Sequence, residues 1–113
     1  MIELDIFSDT VCPWCYIGKK RLEKAISNHK DTKFKQTWRP FQLNPGMPPD
    51  GMDRQEYLIS KFGSADAAKT IYDNIYDEGI VEGINFNFDS IMTTPNSFNS
   101  HRLLALAYKQ GVQ

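Results

Sequence analysis

The segment that most constrains the fold is residues 2–26, which has the sequence C-P-W-C at residues 12–15. Before the cysteines, Ile2, Leu4 and Ile6 alternate with other residues at a period of two, which predicts a β-strand. After the cysteines, apolar and small residues recur at steps of three and four, which predicts a helix. Two cysteines separated by two residues, placed between a strand and a helix, are typical of a redox site.

The residues between the cysteines predict how the helix begins. Proline is favoured at the first helical position because its missing N–H would have no intrahelical partner there. With Pro13 at this position, Cys12 becomes the N-cap, and its sulfur faces the free N–H groups of Trp14 and Cys15. These donors and the helix dipole favour the thiolate. We therefore predict that Cys12 is the exposed nucleophile and that Cys15 is the better shielded resolving thiol.

Beyond this segment the sequence predicts a second strand and three more helices. The second strand, residues 33–38, follows the first helix, and a strand–helix–strand order predicts a crossover with two parallel strands. The later segments with helical periodicity are residues 53–63, 64–79 and 97–110. Residues 103–108 are apolar nearly all round, so we expect the last helix to be buried on more than one side.

Composition excludes several classes of protein. The 113 residues are 41% hydrophobic and 24% charged, which is typical of one globular domain, and the formal net charge of −1 gives no reason to expect nucleic acid or membrane as a partner. The sequence has no basic leader followed by an apolar run and no stretch long enough to span a membrane. Two cysteines are too few for a secreted disulfide scaffold, so we expect a cytoplasmic protein.

Zinc binding is the alternative chemistry for the two cysteines. Cys12, Cys15 and His29 match the first three ligand positions of a zinc finger, but the second histidine should follow within three to five residues. The only other histidine is His101, which is far too distant in the sequence. A second alternative is that the cysteines are simply small buried apolar residues. The strand–turn–helix setting favours the redox interpretation over both.

Three blocks of the sequence carry a family resemblance. They are residues 5–18, which contain C-P-W-C, residues 38–45, which read W-R-P-F-Q-L-N-P, and residues 95–103, which include P-N-S and H-R-L. In these blocks the chain resembles the cytosolic branch of the DsbA-like thioredoxin-fold oxidoreductases, which is similar to polyketide-tailoring proteins of the FrnE type. The first block is the most specific, and the other two separate this branch from thioredoxin itself.

The resemblance implies an α/β fold, with a thioredoxin-like βαβ core and an inserted helical domain. Residues 1–45 would be the first half of the core and residues 46–113 the helical insertion. The second half of the core, with the cis-proline that faces the disulfide in this family, would follow Gln113. We therefore expect an N-terminal part of a longer protein, whose fold is completed by the missing C-terminal half or by a second chain.

The resemblance also suggests roles for side chains near the cysteines. It implies that Asp5 is a buried acid that accepts the proton of the resolving thiol, the alternative being an ordinary solvated strand residue. From its position on an exposed turn between the cysteines, and not from the resemblance, Trp14 is expected to face the substrate, the alternative being a lid over the disulfide. We interpret Asp9 as a turn former. For His101 and Arg102 we expect packing or solvation, and substrate binding is an alternative that rests on the resemblance alone.

The expected function is dithiol–disulfide exchange on protein or small-thiol substrates. Cys12 attacks a substrate disulfide, a mixed disulfide forms, and Cys15 resolves it. No cofactor is expected beyond the redox-active disulfide, with glutathione as a candidate co-substrate. One alternative is a glutathione-dependent isomerase or transferase on the same scaffold, but that class typically has serine in place of Cys12. The other is a client-holding chaperone. Pro13 and Trp14 leave the direction open between oxidase, reductase and isomerase.

Overall fold

The structure, a computed structural model, describes all 113 residues and divides into two compact units. The first unit comprises residues 1–45 and 97–113, and the second unit comprises residues 46–96. The sequence prediction placed residues 97–113 with the helices that precede them, whereas the structure groups this segment with the first unit. The reason is long-range hydrogen bonding, since side chains of this segment bond to Asp9, Thr10 and Trp38.

The first unit begins with strand β1 (Ile2–Ser8), helix α1 (Pro13–Ser27) and strand β2 (Phe34–Pro40). The two strands pair in parallel, with Ile2 opposite Phe34 and Ser8 opposite Pro40. The predicted parallel pair is therefore confirmed. Pro40 is tolerated at the end of β2 because it lies on the strand edge that faces away from β1, where no ladder hydrogen bond needs its N–H.

The two faces of this sheet differ in character. Leu4 and Ile6 of β1 are half-buried on one face, and Trp38 lies beside Ile6 in the register. The other face carries charged pairs between the strands, one of them Glu3 with Lys35 at 3.7 Å. This alternation follows from the strand period of two and places the apolar side chains together.

The last helix, α4 (Phe98–Lys109), corrects one prediction. We expected it to be buried on more than one side, but Leu103 and Leu106 are 66% and 54% exposed, and His101 is its one buried residue. Within these residues α4 packs against β2. The chain after α4 returns to the same strand, where the side-chain amide of Gln113 bonds to both the N–H and the C=O of Trp38.

The second unit contains the two middle helices that the sequence predicts. Its elements are a two-residue strand β3 (Met52–Asp53), helix α2 (Arg54–Phe62), helix α3 (Ala65–Val81), a 3₁₀ turn (Phe88–Ser90) and strand β4 (Thr93–Thr94). Asp53 is the N-cap of α2, since its carboxylate accepts from the N–H groups of Gln55 and Glu56 at 3.1 Å. None of the helices in the protein has the length and apolar content needed to cross a membrane.

Candidate active site

The cysteine motif has the helix-start geometry that the sequence predicts. Cys12 is the N-cap of α1 with an extended backbone (φ −97°, ψ 111°), and Pro13 opens the first turn. The Cys12 sulfur accepts a hydrogen bond from the backbone N–H of Cys15 at 3.3 Å. The backbone N–H of Trp14 also points to this sulfur. Two peptide donors therefore converge on Cys12, as they should at a helix N-terminus.

Of the two cysteines, Cys12 is less exposed than predicted. Both are free thiols and both are half-buried. A side-chain hydrogen bond joins them, so their sulfurs are close enough for exchange between the dithiol and disulfide forms. Trp14 is 41% exposed between them, as expected for a side chain on the outer surface of the turn. Cys12 is distinguished from Cys15 by its position at the helix cap.

The acidity of Cys12 also differs from the prediction. Burial, the side-chain hydrogen bond with Cys15 and the charge of a Cys15 thiolate raise the pKa of Cys12 to about 11, while the N–H groups of Cys15 and Trp14 pull it down. The predicted donors are present, but their effect is smaller than the cost of desolvating the thiolate beside a second thiol.

Asp5 is not in the environment that the resemblance implied. Its side chain is 58% exposed on the charged face of the sheet and accepts a hydrogen bond from Arg39 Nε at 2.9 Å. The solvated-strand interpretation therefore describes its position here, and the buried-acid interpretation does not. The local reason is the strand alternation, which points Leu4 and Ile6 to the covered face and Asp5 to the opposite one.

The buried acid near the cysteines is instead Asp9. Its side chain is 1% exposed and lies 3.0 Å from His101 Nε2, whose side chain is 8% exposed. The other carboxylate oxygen accepts from the backbone N–H of Leu43 at 2.8 Å, and Ser97 also bonds to the carboxyl group. Burial raises the pKa of Asp9, but the hydrogen bonds from Leu43, Ser97 and His101 outweigh it, so the pKa is below its ordinary value.

The partners of His101 define its tautomer. Nε2 lies 3.0 Å from Asp9 Oδ1 and 3.1 Å from the carbonyl oxygen of Phe41. Both atoms are acceptors, so Nε2 carries a hydrogen that the two share. All the hydrogen bonds of the ring are made at Nε2. Every fully buried side-chain nitrogen in the molecule has a hydrogen-bond partner, so Nδ1, which has none, is accessible to solvent.

A second contact joins the same two segments. Ser100 donates to the carbonyl oxygen of Ser97 at 2.6 Å, so the hydroxyl of Thr10, also at 2.6 Å from Ser100 Oγ, is the donor in that pair. We call these side chains the Asp9 cluster, which consists of Asp9, Thr10, Ser97, Ser100 and His101. The cluster connects directly to the cysteine motif, because the backbone carbonyl of Asp9 accepts from the N–H of Cys12 at 3.2 Å.

The Asp9 cluster is the part of the site that sequence reasoning missed. Asp9 was interpreted as a turn former and His101 as a packed or solvated residue, since each is unremarkable within its own segment. A signal was nevertheless present, because residues 5–18, 38–45 and 95–103 were singled out together as the blocks of resemblance. In the structure one residue or more of each block contributes to the hydrogen bonds around the Asp9 carboxylate. Arg102 remains exposed and bonds to Asn99.

Comparisons with known proteins identify the family. The model of the DSBA-like thioredoxin domain matches residues 3–113, so the chain belongs to that family. The mixed α/β structure is a DsbA-like thioredoxin fold. The crystal structure of a probable DsbA oxidoreductase from Streptomyces coelicolor superposes with a TM-score of 0.83 at 33% sequence identity, covering 98% of this chain and 48% of that one.

A curated relative is similar over a shorter region. The uncharacterised protein YwbO of Bacillus subtilis is 40% identical over 48 residues, which are 42% of this chain and 22% of that protein. The chain thus spans about half of the similar structure and a smaller share of the curated relative. Among the residues of the chain, no three His, Cys, Asp or Glu side chains are grouped so that they could hold a metal ion.

Proposed function

We propose that the protein is a thiol–disulfide oxidoreductase in which Cys12 attacks and Cys15 resolves. The observation that carries this proposal is the pair of adjacent free thiols at the start of α1, with two peptide N–H groups directed at Cys12. Membership of the DSBA-like family and the similarity to a probable DsbA oxidoreductase support it. Pro13 sets the helix start, and the exposed Trp14 offers an apolar surface to a substrate chain.

The exchange proceeds in two balanced steps. The Cys12 thiolate attacks one sulfur of a substrate disulfide, which forms a mixed disulfide and releases the other substrate sulfur as a thiolate. The Cys15 thiolate then attacks the Cys12 sulfur, which forms the Cys12–Cys15 disulfide and releases the substrate as a dithiol. Two electrons pass from the cysteine pair to the substrate, and two molecules of a small thiol such as glutathione return the pair to the reduced state and are themselves oxidised to one disulfide.

We propose that the reducing direction is favoured. A strongly oxidising pair requires a stabilised thiolate in the reduced form, because that stabilisation makes the disulfide easier to reduce. Here burial and Cys15 raise the pKa of Cys12 to about 11. We therefore expect a lower potential than that of strongly oxidising pairs with this motif.

The remaining features of the proposal concern the whole protein. We propose that the chain belongs to the cytosolic FrnE-type branch and acts in the cytoplasm on protein or small-molecule disulfides. We further propose that a second half of the thioredoxin core, from the same chain or another, packs on this part. Such a partner would cover the apolar side chains of Phe7 and Leu103, which are 68% and 66% exposed.

A full-length Cys15→Ser variant tests the proposal. Without the resolving thiol, the mixed disulfide at Cys12 accumulates, so we expect covalent adducts on non-reducing gels and loss of insulin reduction. Cys12→Ser is the matched control, which forms no adducts. If the Cys15→Ser variant keeps full activity in a glutathione-dependent isomerase assay, glutathione chemistry and not disulfide exchange is the function of this site.

A further inference from the structure

Two consecutive residues immediately before the cysteine motif are held by the start of α4. Asp9 bonds to His101 and Ser97, and Thr10 bonds to Ser100. These contacts join positions that are 90 and 92 residues apart in the sequence. Residues 9 and 10 lie in the turn between β1 and α1, so α4 fixes the turn from outside the βαβ unit.

The same turn determines where the Cys12 sulfur lies. The backbone carbonyl of Asp9 accepts from the N–H of Cys12, and Cys12 is the N-cap whose extended backbone directs its sulfur to the N–H groups of Trp14 and Cys15. N-cap geometry depends on the backbone angles of the cap residue. A turn that is free to change would therefore lose the alignment of these donors with the sulfur.

We propose that Asp9 and His101 are positioning residues for Cys12, which hold the turn so that its sulfur meets the donors of α1. This inference rests on the proposed function for its biological meaning. The shared hydrogen of His101 Nε2 is the essential contact, since it bonds both the Asp9 carboxylate and the carbonyl oxygen of Phe41. The ring of His101, in α4, thereby connects the turn at Asp9 and the chain after β2 at Phe41 by hydrogen bonds.

Substitution of His101 separates positioning from simple packing. His101→Leu removes the donor, whereas His101→Gln can place an amide N–H where the Nε2 hydrogen now lies. The readout is the pH dependence of Cys12 alkylation by iodoacetamide, measured in the full-length protein with Cys15→Ser so that Cys12 is the single reactive thiol. Thermal unfolding of each variant is measured in parallel. His29→Leu is the control, because His29 is exposed and outside the Asp9 cluster.

We expect His101→Leu to slow alkylation at pH 7.5 by roughly three- to tenfold, the size of effect that follows from weakening one hydrogen bond to a thiolate. His101→Gln and His29→Leu should stay within about twofold of the parent, because the donor is restored in one and untouched in the other. If His101→Leu fails to fold, Asp9→Asn, which replaces the charged acceptor of the shared hydrogen, takes its place and should also slow alkylation.

Two results would overturn the inference. One is an unchanged alkylation profile in folded His101→Leu, or in Asp9→Asn where that variant stands in for it. The other is His101→Gln slowing alkylation as much as His101→Leu, because the site would then need the ring and not its hydrogen bond. Failure of the proposed function has a different signature, in which Cys12 alkylation responds as expected but the protein with both cysteines exchanges no disulfides with insulin or oxidised glutathione.

Discussion

The two units of the molecule bury a charged side chain in different ways. In the first unit, both carboxylate oxygens of Asp9 accept hydrogen bonds, and its buried side-chain partner is His101 at 3.0 Å. In the second unit, Arg54 is 9% exposed and has no carboxylate within ion-pair distance. Its guanidinium instead lies 4.9 Å from the ring centre of Tyr72 and 5.6 Å from that of Tyr57, with one hydrogen bond to Thr94.

The two buried side chains are stabilised by different interactions. A carboxylate removed from water has to recover its hydration through direct hydrogen bonds, and Asp9 does so completely. A guanidinium is more weakly hydrated and stacks well on aromatic rings, so Arg54 needs fewer polar partners. Arg54 also borders a cavity of about 460 Å³, through which water can reach its remaining N–H groups. Asp9 should therefore depend on specific hydrogen bonds, and Arg54 on packing.

The largest expected effect follows from Asp9→Ala. This change leaves the N–H of Leu43 without its acceptor and removes the acceptor that His101 shares with the carbonyl oxygen of Phe41. We expect the free energy of unfolding to fall by about 2–4 kcal/mol, the usual cost of breaking a buried hydrogen-bonded pair. Equilibrium urea unfolding at pH 7 measures it. A loss below about 0.5 kcal/mol would show that water replaces the carboxylate without cost.

The contribution of Asp9 to the stability of the fold should be lost at acidic pH. The pKa of Asp9 is lower in the folded protein than its ordinary value of 3.8. A group with a lowered folded pKa stabilises the fold above its unfolded pKa, and that stability is lost as the pH falls through the folded pKa. The difference in unfolding free energy between wild type and Asp9→Asn should therefore be constant from about pH 7 to pH 5 and shrink below about pH 4. A difference that stays constant down to pH 2.5 would contradict this account.

A smaller effect is expected at Arg54. Met has a flexible side chain of similar length that packs well against aromatic rings, so Arg54→Met keeps the contacts with Tyr57 and Tyr72. It loses the 3.0 Å hydrogen bond to Thr94, which is 2% exposed, and should cost about 1 kcal/mol. Arg54→Ala, the matched comparison, also removes the packing and should cost more. If Arg54→Met lowers the free energy of unfolding as much as Asp9→Ala does, Arg54 depends on its hydrogen bond as strongly as Asp9 does, and the proposed difference between the two side chains is wrong.

The dependence of Asp9 on distant residues also explains which features of the molecule could be predicted from the sequence. The helix start at Pro13 and the cap at Cys12 obey local rules, so they were predicted correctly. The parallel strands followed from element order. Asp9 is different because its main side-chain partner is 92 residues away, and in its own segment it is an ordinary turn residue. The raised pKa of Cys12 was missed for a similar reason, since burial depends on the whole fold.

The smallest expected effect comes from the other aspartate of the first unit. Asp5 and Arg39 form a 2.9 Å pair, but their side chains are 58% and 45% exposed, so water screens the interaction. Asp5→Ala should change the free energy of unfolding by no more than about 0.5 kcal/mol, because exposed ion pairs contribute little.

The role of Asp5 as a proton acceptor for Cys15, which the family resemblance suggested, can be tested with the same variant. We expect the rate of insulin reduction to be unchanged in full-length Asp5→Ala. A rate lowered tenfold or more, with stability unchanged, would show that Asp5 serves the resolving thiol after all.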